Sequence, residues 1–172
     1  LDDTSEFSQS RDPRYADLYH PPHNEPYRGS GDTWYTKDPR FHQIWFDRIR
    51  DLLDTYEPDL LYSDGGLPFG VVGRSLVAHM YNSSIARSGK LEAVYNCKDL
   101  GSGEFHKEWA VQDVERGVLN GINPLPWQTD TSMGDWFYSE GYQYKTTRDV
   151  VTMLADIVSK NGNLLLNVVQ YP

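Results

Sequence analysis

The stretch Tyr56-Glu57-Pro58-Asp59-Leu60-Leu61-Tyr62-Ser63-Asp64-Gly65-Gly66 decides how the rest of the chain is read, because a short apolar run ends there in an acid and two glycines. Proline lacks a backbone N–H and suits the start of a strand, so Pro58 opens one. Leu60 to Tyr62 have the apolar character of a buried strand, and the glycine pair then forces the chain to turn. Asp64 is thereby delivered to the strand's C-terminal end, which is where parallel α/β folds place their chemistry. Taken alone, Asp-Gly-Gly is also ordinary turn chemistry, since both residue types tolerate left-handed backbone.

Working outward, the flanking segments repeat a βα grammar. On the N-terminal side, Asp38-Pro39 reads as an N-cap followed by proline at the first helical position. Phe41, Ile44, Trp45, Ile49, Leu52, Leu53 and Tyr56 then recur at helical spacing. On the C-terminal side, Val71 to about Arg87 carries Leu76, Val77, Met80 and Tyr81 on one face and stops before Ser88-Gly89. A short strand is expected over Glu92–Asn96, which makes strand, helix, strand a parallel crossover unit. Trp109 to Val114 reads as a third strand, leading into Glu115-Arg116-Gly117. Thr147 to Lys160 is the clearest helix, with Val150, Val151, Leu154, Ile157 and Val158 on one stripe and Asn161-Gly162 as its stop. Leu164 to Val169 closes the series as an apolar strand. Four strands are counted this way; residues 120–139, rich in Pro, Trp, Phe and Tyr, read as an aromatic connection, and residues 1–36 as a long polar loop or lid.

Composition narrows the partner. The chain has 172 residues and a net charge of −9, which repels nucleic acid and anionic membrane. No apolar run reaches the length of a membrane span, and residues 1–30 lack the basic start and apolar core of a signal peptide. Aromatic residues make up 13%, including five Trp and twelve Tyr, and suit ligands with an apolar face and polar edges, such as sugars. The lone Cys97 excludes an intrachain disulfide. His20 and His23 flank two prolines without the carboxylates or cysteines of a metal site, so no metal or other cofactor is expected. Asn82-Ser83-Ser84 has the form of an N-glycosylation acceptor, a common chance triplet.

Two acids at strand ends are the minimum equipment for hydrolysing a glycosidic bond, one as nucleophile or base and one as proton donor. Asp64 and Glu115 can divide that work if their environments separate their acidities. On spacing alone, Glu115 beside Arg116 reads first as an ordinary surface acid in a weak ion pair.

Five motifs in order go further. Pro58 to Gly66, Ala93-Val94-Tyr95-Asn96, Asp113-Val114-Glu115-Arg116-Gly117, Pro126 to Ser132 and Ser159 to Asn167 together closely resemble the α-L-fucosidases of glycoside hydrolase family 29, from about Trp34 onward. The resemblance implies a retaining hydrolase of terminal α-L-fucose on a (β/α)8-like barrel, with fucosylated glycans as substrate and a secreted, periplasmic or lysosomal setting. It makes Asp64 the nucleophile and Glu115 the general acid/base. Gln128 stands where some members carry an acid, and Asp130 and Glu140 are the remaining acids in the region. Tyr62, where the family commonly has Trp, Lys98, where it often has Arg, and Trp136 are implied to line the sugar pocket. A full barrel needs about 250 residues and eight strands. The chain is therefore expected to be the C-terminal part of a catalytic domain, completed by an N-terminal half as an upstream segment or a separate chain. A carbohydrate-binding protein without catalysis and a hydrolase of another sugar are the alternatives.

Overall fold

A computed structural model describes residues 12–19, 36–99 and 102–169. His20 and His23 lie outside the described residues. The polar N-terminal segment contributes a short 3-10 helix, Pro13–Leu18.

Helix α1 (Pro39–Tyr56) begins as its sequence dictates: Asp38 accepts a hydrogen bond from the Arg40 N–H at 2.9 Å, and Pro39 occupies the first turn, where an N–H is dispensable. It ends at Glu57, which turns left-handed at φ 46° and donates to Leu53 O. The residue before a proline disfavours the helical region, so Pro58 stops α1, and strand β1 (Leu60–Ser63) begins two residues later rather than at the proline. Helix α2 (Val71–Ser88) follows and terminates on Gly89, left-handed at φ 77°. The triplet at Asn82 falls inside α2; Ser84 is buried and its Oγ accepts from the Glu92 N–H, which does not suit a surface-loop acceptor. Strands β2 (Val94–Lys98) and β3 (Val111–Asp113) come next. Helix α3 (Thr147–Ser159) is fixed by a reciprocal capping box between Thr146 and Asp149, and strand β5 (Gly162–Asn167) ends the described series.

The sequence reading counts four strands; the described residues form five. The additional one, β4 (Trp127–Ser132), lies inside the segment read as an aromatic connection. Its residues Trp-Gln-Thr-Asp-Thr-Ser are all buried yet mostly polar, whereas buried parallel strands usually read as apolar runs. Side-chain hydrogen bonds resolve the conflict, since Gln128, Thr129 and Ser132 all donate to protein acceptors.

All pairings are parallel, and the strand order is β1-β2-β3-β4-β5, the order of the sequence. The result is a half-barrel of α/β type. Leu53, Leu76, Met80 and Ala93 form one buried cluster where α1 and α2 meet the sheet. Leu67, Val77, Tyr95, Cys97 and Ala110 form a second. Trp127 and Ile157 anchor α3 to β4 and β5; a Cβ at Gly162 would come within 2.6 Å of the Trp127 ring. Of the α3 stripe only Ile157 is buried, while Val151, Leu154 and Val158 are exposed, as are Leu60 and Leu165 on the two edge strands. No helix among the described residues is long and apolar enough to cross a membrane.

Candidate active site

Parallel strands deliver their C-terminal ends to one rim. Asp64 follows β1, Lys98 ends β2, Glu115 lies two residues beyond β3, and Asp130 lies late in β4. The two glycines after Asp64 do more than turn the chain. A Cβ at Gly66 would sit 2.8 Å from Gly103 C and 2.9 Å from Ser102 O, so only glycine allows the loop after β1 to pack against the loop after β2. The Gly66 N–H donates to Ser102 O, and the Lys98 N–H to Gly65 O.

Lys98 is the hub. Its side chain is 4% exposed, and its ammonium donates to Asp64 Oδ1 at 2.7 Å, Asp130 Oδ2 at 3.0 Å and Glu115 Oε2 at 3.3 Å. Burial, the largest single influence, would lower its pKa; the hydrogen bonds to Asp64, Asp130 and Tyr62 together outweigh it and hold the lysine well above its ordinary range. The shared contact also limits a distance. The two oxygens of Asp64 and Glu115 that face the ammonium lie at most about 6 Å apart, the contacts of 2.7 and 3.3 Å laid end to end.

Behind this rim runs a polar chain whose middle members, Gln128 and Asp113, are buried. Asn163 Nδ2 donates to Gln128 Oε1 at 3.0 Å, Gln128 Nε2 donates to Asp113 Oδ1 at 3.1 Å, and the Tyr62 hydroxyl donates to Asp113 Oδ2 at 2.8 Å and to Asp130 Oδ2 at 3.4 Å. The chain crosses from β5 through β4 and β3 to β1. Burial pushes the Asp113 carboxyl up to about 6, against the opposing hydrogen bonds from Tyr62 and Gln128 and with help from the neighbouring Asp130 charge. Burial and the bond to Asp113 likewise raise the Tyr62 phenol well above its usual range. Lys98 Nζ lies 6.0 Å from the Tyr62 ring centroid.

All five residues singled out from the sequence, Tyr62, Asp64, Lys98, Glu115 and Trp136, line one cavity of about 670 Å³, together with Asp130. Glu140 is exposed and does not line it. The ion pair expected between Glu115 and Arg116 does not form: Glu115 faces Lys98, whereas Arg116 reaches Asp135 and Trp136. Sequence reasoning missed the part played by Asp113 and Gln128. Their contacts span 15 to 51 residues of chain, so no local signal marked them.

A carboxylate pair within a few ångströms, an aromatic wall and a buried cation can hold a polyhydroxylated ligand and carry out acid/base or nucleophilic chemistry on it. The sequence model of the family described as Alpha-L-fucosidase matches residues 5–172. Among curated proteins nothing matches. Among solved structures, the chain is similar to an alpha-L-fucosidase at TM-score 0.63 and 24% identity, covering 83% of this chain and 32% of that one. It is similar to the Thermotoga maritima alpha-fucosidase in complex with fucose at TM-score 0.61 and 24% identity, covering 83% and 31%. The same enzyme in complex with a mechanism-based inhibitor gives TM-score 0.60 and 24% identity. The chain thus spans about a third of the length of these structures, and likeness at this identity speaks to the fold. With the family match running over nearly the whole sequence, the chain belongs to the α-L-fucosidase family.

Proposed function

We propose that this chain supplies the catalytic rim of a retaining α-L-fucosidase that releases terminal fucose from oligosaccharides or glycoconjugates. The observation that carries the reading is the convergence of Asp64 and Glu115 on one ammonium, on the wall of one cavity, in a chain of this family. A separation of at most about 6 Å suits a retaining pair, roughly 5–5.5 Å apart, better than an inverting pair at about 6.5–9.5 Å.

In the first step Asp64 attacks the anomeric carbon while Glu115 gives its proton to the departing glycosidic oxygen. The C–O bond to the aglycone breaks, and a fucosyl ester on Asp64 forms. In the second step Glu115, now a carboxylate, takes a proton from water, the water oxygen bonds to the anomeric carbon, and the ester breaks to restore Asp64. Lys98 holds one oxygen of each carboxylate and fixes their orientation, while Tyr62 and Trp136 form the apolar wall.

The pocket is completed by further βα units, joined to this chain or supplied by another. Asp64 is 81% exposed, β1 and β5 each pair on one side only, and Val151, Leu154 and Val158 of α3 are uncovered. Added strands satisfy the open edges, and an added helix covers the α3 stripe.

The test is kinetic, on the complete protein. Asp64→Asn is expected to abolish turnover of aryl fucosides, and near-normal rates would sink the assignment. Glu115→Ala is expected to slow natural glycosides more than substrates with activated leaving groups, with azide restoring the second step. Fucose binding without any hydrolysis by the unsubstituted protein would identify a binding protein instead.

A further inference from the structure

The loop carrying Glu115 contains an unusual residue whose side chain takes no direct part in that chemistry. Arg116 adopts left-handed backbone at φ 50°, a region that non-glycine residues occupy at a cost and that persists only where surrounding contacts enforce it. Those contacts are visible. The Arg116 N–H donates to Asp130 O at 2.8 Å, which ties the loop to β4 beside the carboxylate cluster. The guanidinium carbon lies 4.4 Å from the Trp136 ring centroid, within cation–π range, and Nη2 lies 3.4 Å from Asp135 Oδ1.

The far side of this clasp is equally held. Asp135 Oδ1 accepts from the Trp136 N–H at 2.8 Å, Asp135 O accepts from Ser132 Oγ at 2.5 Å, and Trp136 O accepts from Asn167 Nδ2 at 2.9 Å. Backbone reversal at Arg116 lets consecutive side chains diverge, Glu115 toward Lys98 and Arg116 toward Trp136. We infer that Arg116 is a positioning residue that locks the Glu115 carboxyl and the Trp136 indole into one unit, so that the proton donor and the sugar-facing wall are set by the same clasp. A lysine there keeps a cation over the indole and loses the planar fork that also serves Asp135. A methionine keeps bulk and loses both.

The inference rests on the glycosidase reading, and the experiment separates the two. In the complete protein, Arg116→Met and Arg116→Lys are compared for kcat and KM on an activated aryl fucoside and on a fucosyl disaccharide. Fucose affinity is measured by calorimetry in the Asp64→Asn background. For Arg116→Met the expected result is a loss of roughly 10-fold or more in kcat/KM on the disaccharide and a several-fold smaller loss on the aryl fucoside. Fucose affinity is expected to weaken about 5-fold through the loosened indole, and Arg116→Lys is expected to recover most of it. Combined with Trp136→Leu, Arg116→Met should add little further loss of affinity, because both act through one contact. An active parent enzyme whose Arg116→Met variant keeps its leaving-group preference and its fucose affinity overturns the inference alone. So does equal, unrescued loss in both variants accompanied by reduced stability only. A parent protein with neither turnover nor fucose affinity overturns the glycosidase reading and this inference with it.

Discussion

Replacing Asp113 by Asn should make the protein more stable at neutral pH, the opposite of what is expected when a buried hydrogen-bonded side chain is altered. Asp113 is 3% exposed, and its carboxyl rises from an ordinary 3.8 to about 6 in the folded protein because burial and the Asp130 charge disfavour ionisation. Between these two values the folded state binds more protons than the unfolded state, so stability falls as pH rises from about 3.8 to about 6. Below that window both states are protonated and no penalty exists; above it the full penalty applies. At about 1.36 kcal/mol per pH unit the difference amounts to about 3 kcal/mol at pH 7. Asparagine keeps the shape and can keep the contacts, its Oδ1 accepting from Gln128 Nε2 and its Nδ2 donating to the Tyr62 oxygen, which still has Asp130 as acceptor. Urea denaturation of the complete protein and of Asp113→Asn, from pH 4 to pH 7.5, gives the difference directly, and titrations of groups remote from Asp113 cancel. The two should be nearly equal at pH 4, with the variant gaining up to about 3 kcal/mol by pH 7. A variant that is less stable at every pH, or a difference that does not change across the window, refutes the reasoning.

Two further outcomes follow from packing and charge. Lys98→Met removes the one cation shared by Asp64, Asp130 and Glu115, leaving the nearly buried Asp130 without it, and should cost about 3–5 kcal/mol in denaturant midpoints at neutral pH. Activity on aryl fucosides should fall with it, because neither carboxylate keeps its orientation. Gly73→Ala would normally gain up to about 1 kcal/mol in a helix, but here the new Cβ would stand 2.1 Å from Pro68 O, a backbone atom. A net loss of about 1–3 kcal/mol is expected by the same assay. Gly121→Ala, with nothing within 4 Å, serves as control and should shift stability by less than about 0.5 kcal/mol.

The sequence was most legible where a physical signal is local. Asp38-Pro39 and Ser88-Gly89 set helix boundaries within a residue or two, because caps depend on a few adjacent atoms. The rim was legible at Asp64 because a strand must end before Gly-Gly, and at Glu115, Tyr62, Lys98 and Trp136 because the motifs resembled a known family. Strand β4 was not legible, since its polarity is satisfied by partners 15 to 35 residues away: Asp113 and Asn163 on Gln128, and Asn167 on Ser132. The same holds for Asp113, whose burial depends on the register that sets it opposite Lys98. No window of sequence contains that register.

The order of the sheet carries one more consequence, for how the chain is made. Every described strand hydrogen-bonds only to its neighbours in sequence, so the sheet can grow one strand at a time as the polypeptide emerges, without waiting for a distant partner. Growth of that kind adds one βα unit after another until the ring must shut. In the proposed complete barrel, closure joins the edges at β1 and β5 through additional strands, across the longest span of chain. Until it occurs, the two open edges and the bare α3 face among the described residues are exposed together, which makes ring closure the step at which chaperones and aggregation compete for the nascent chain.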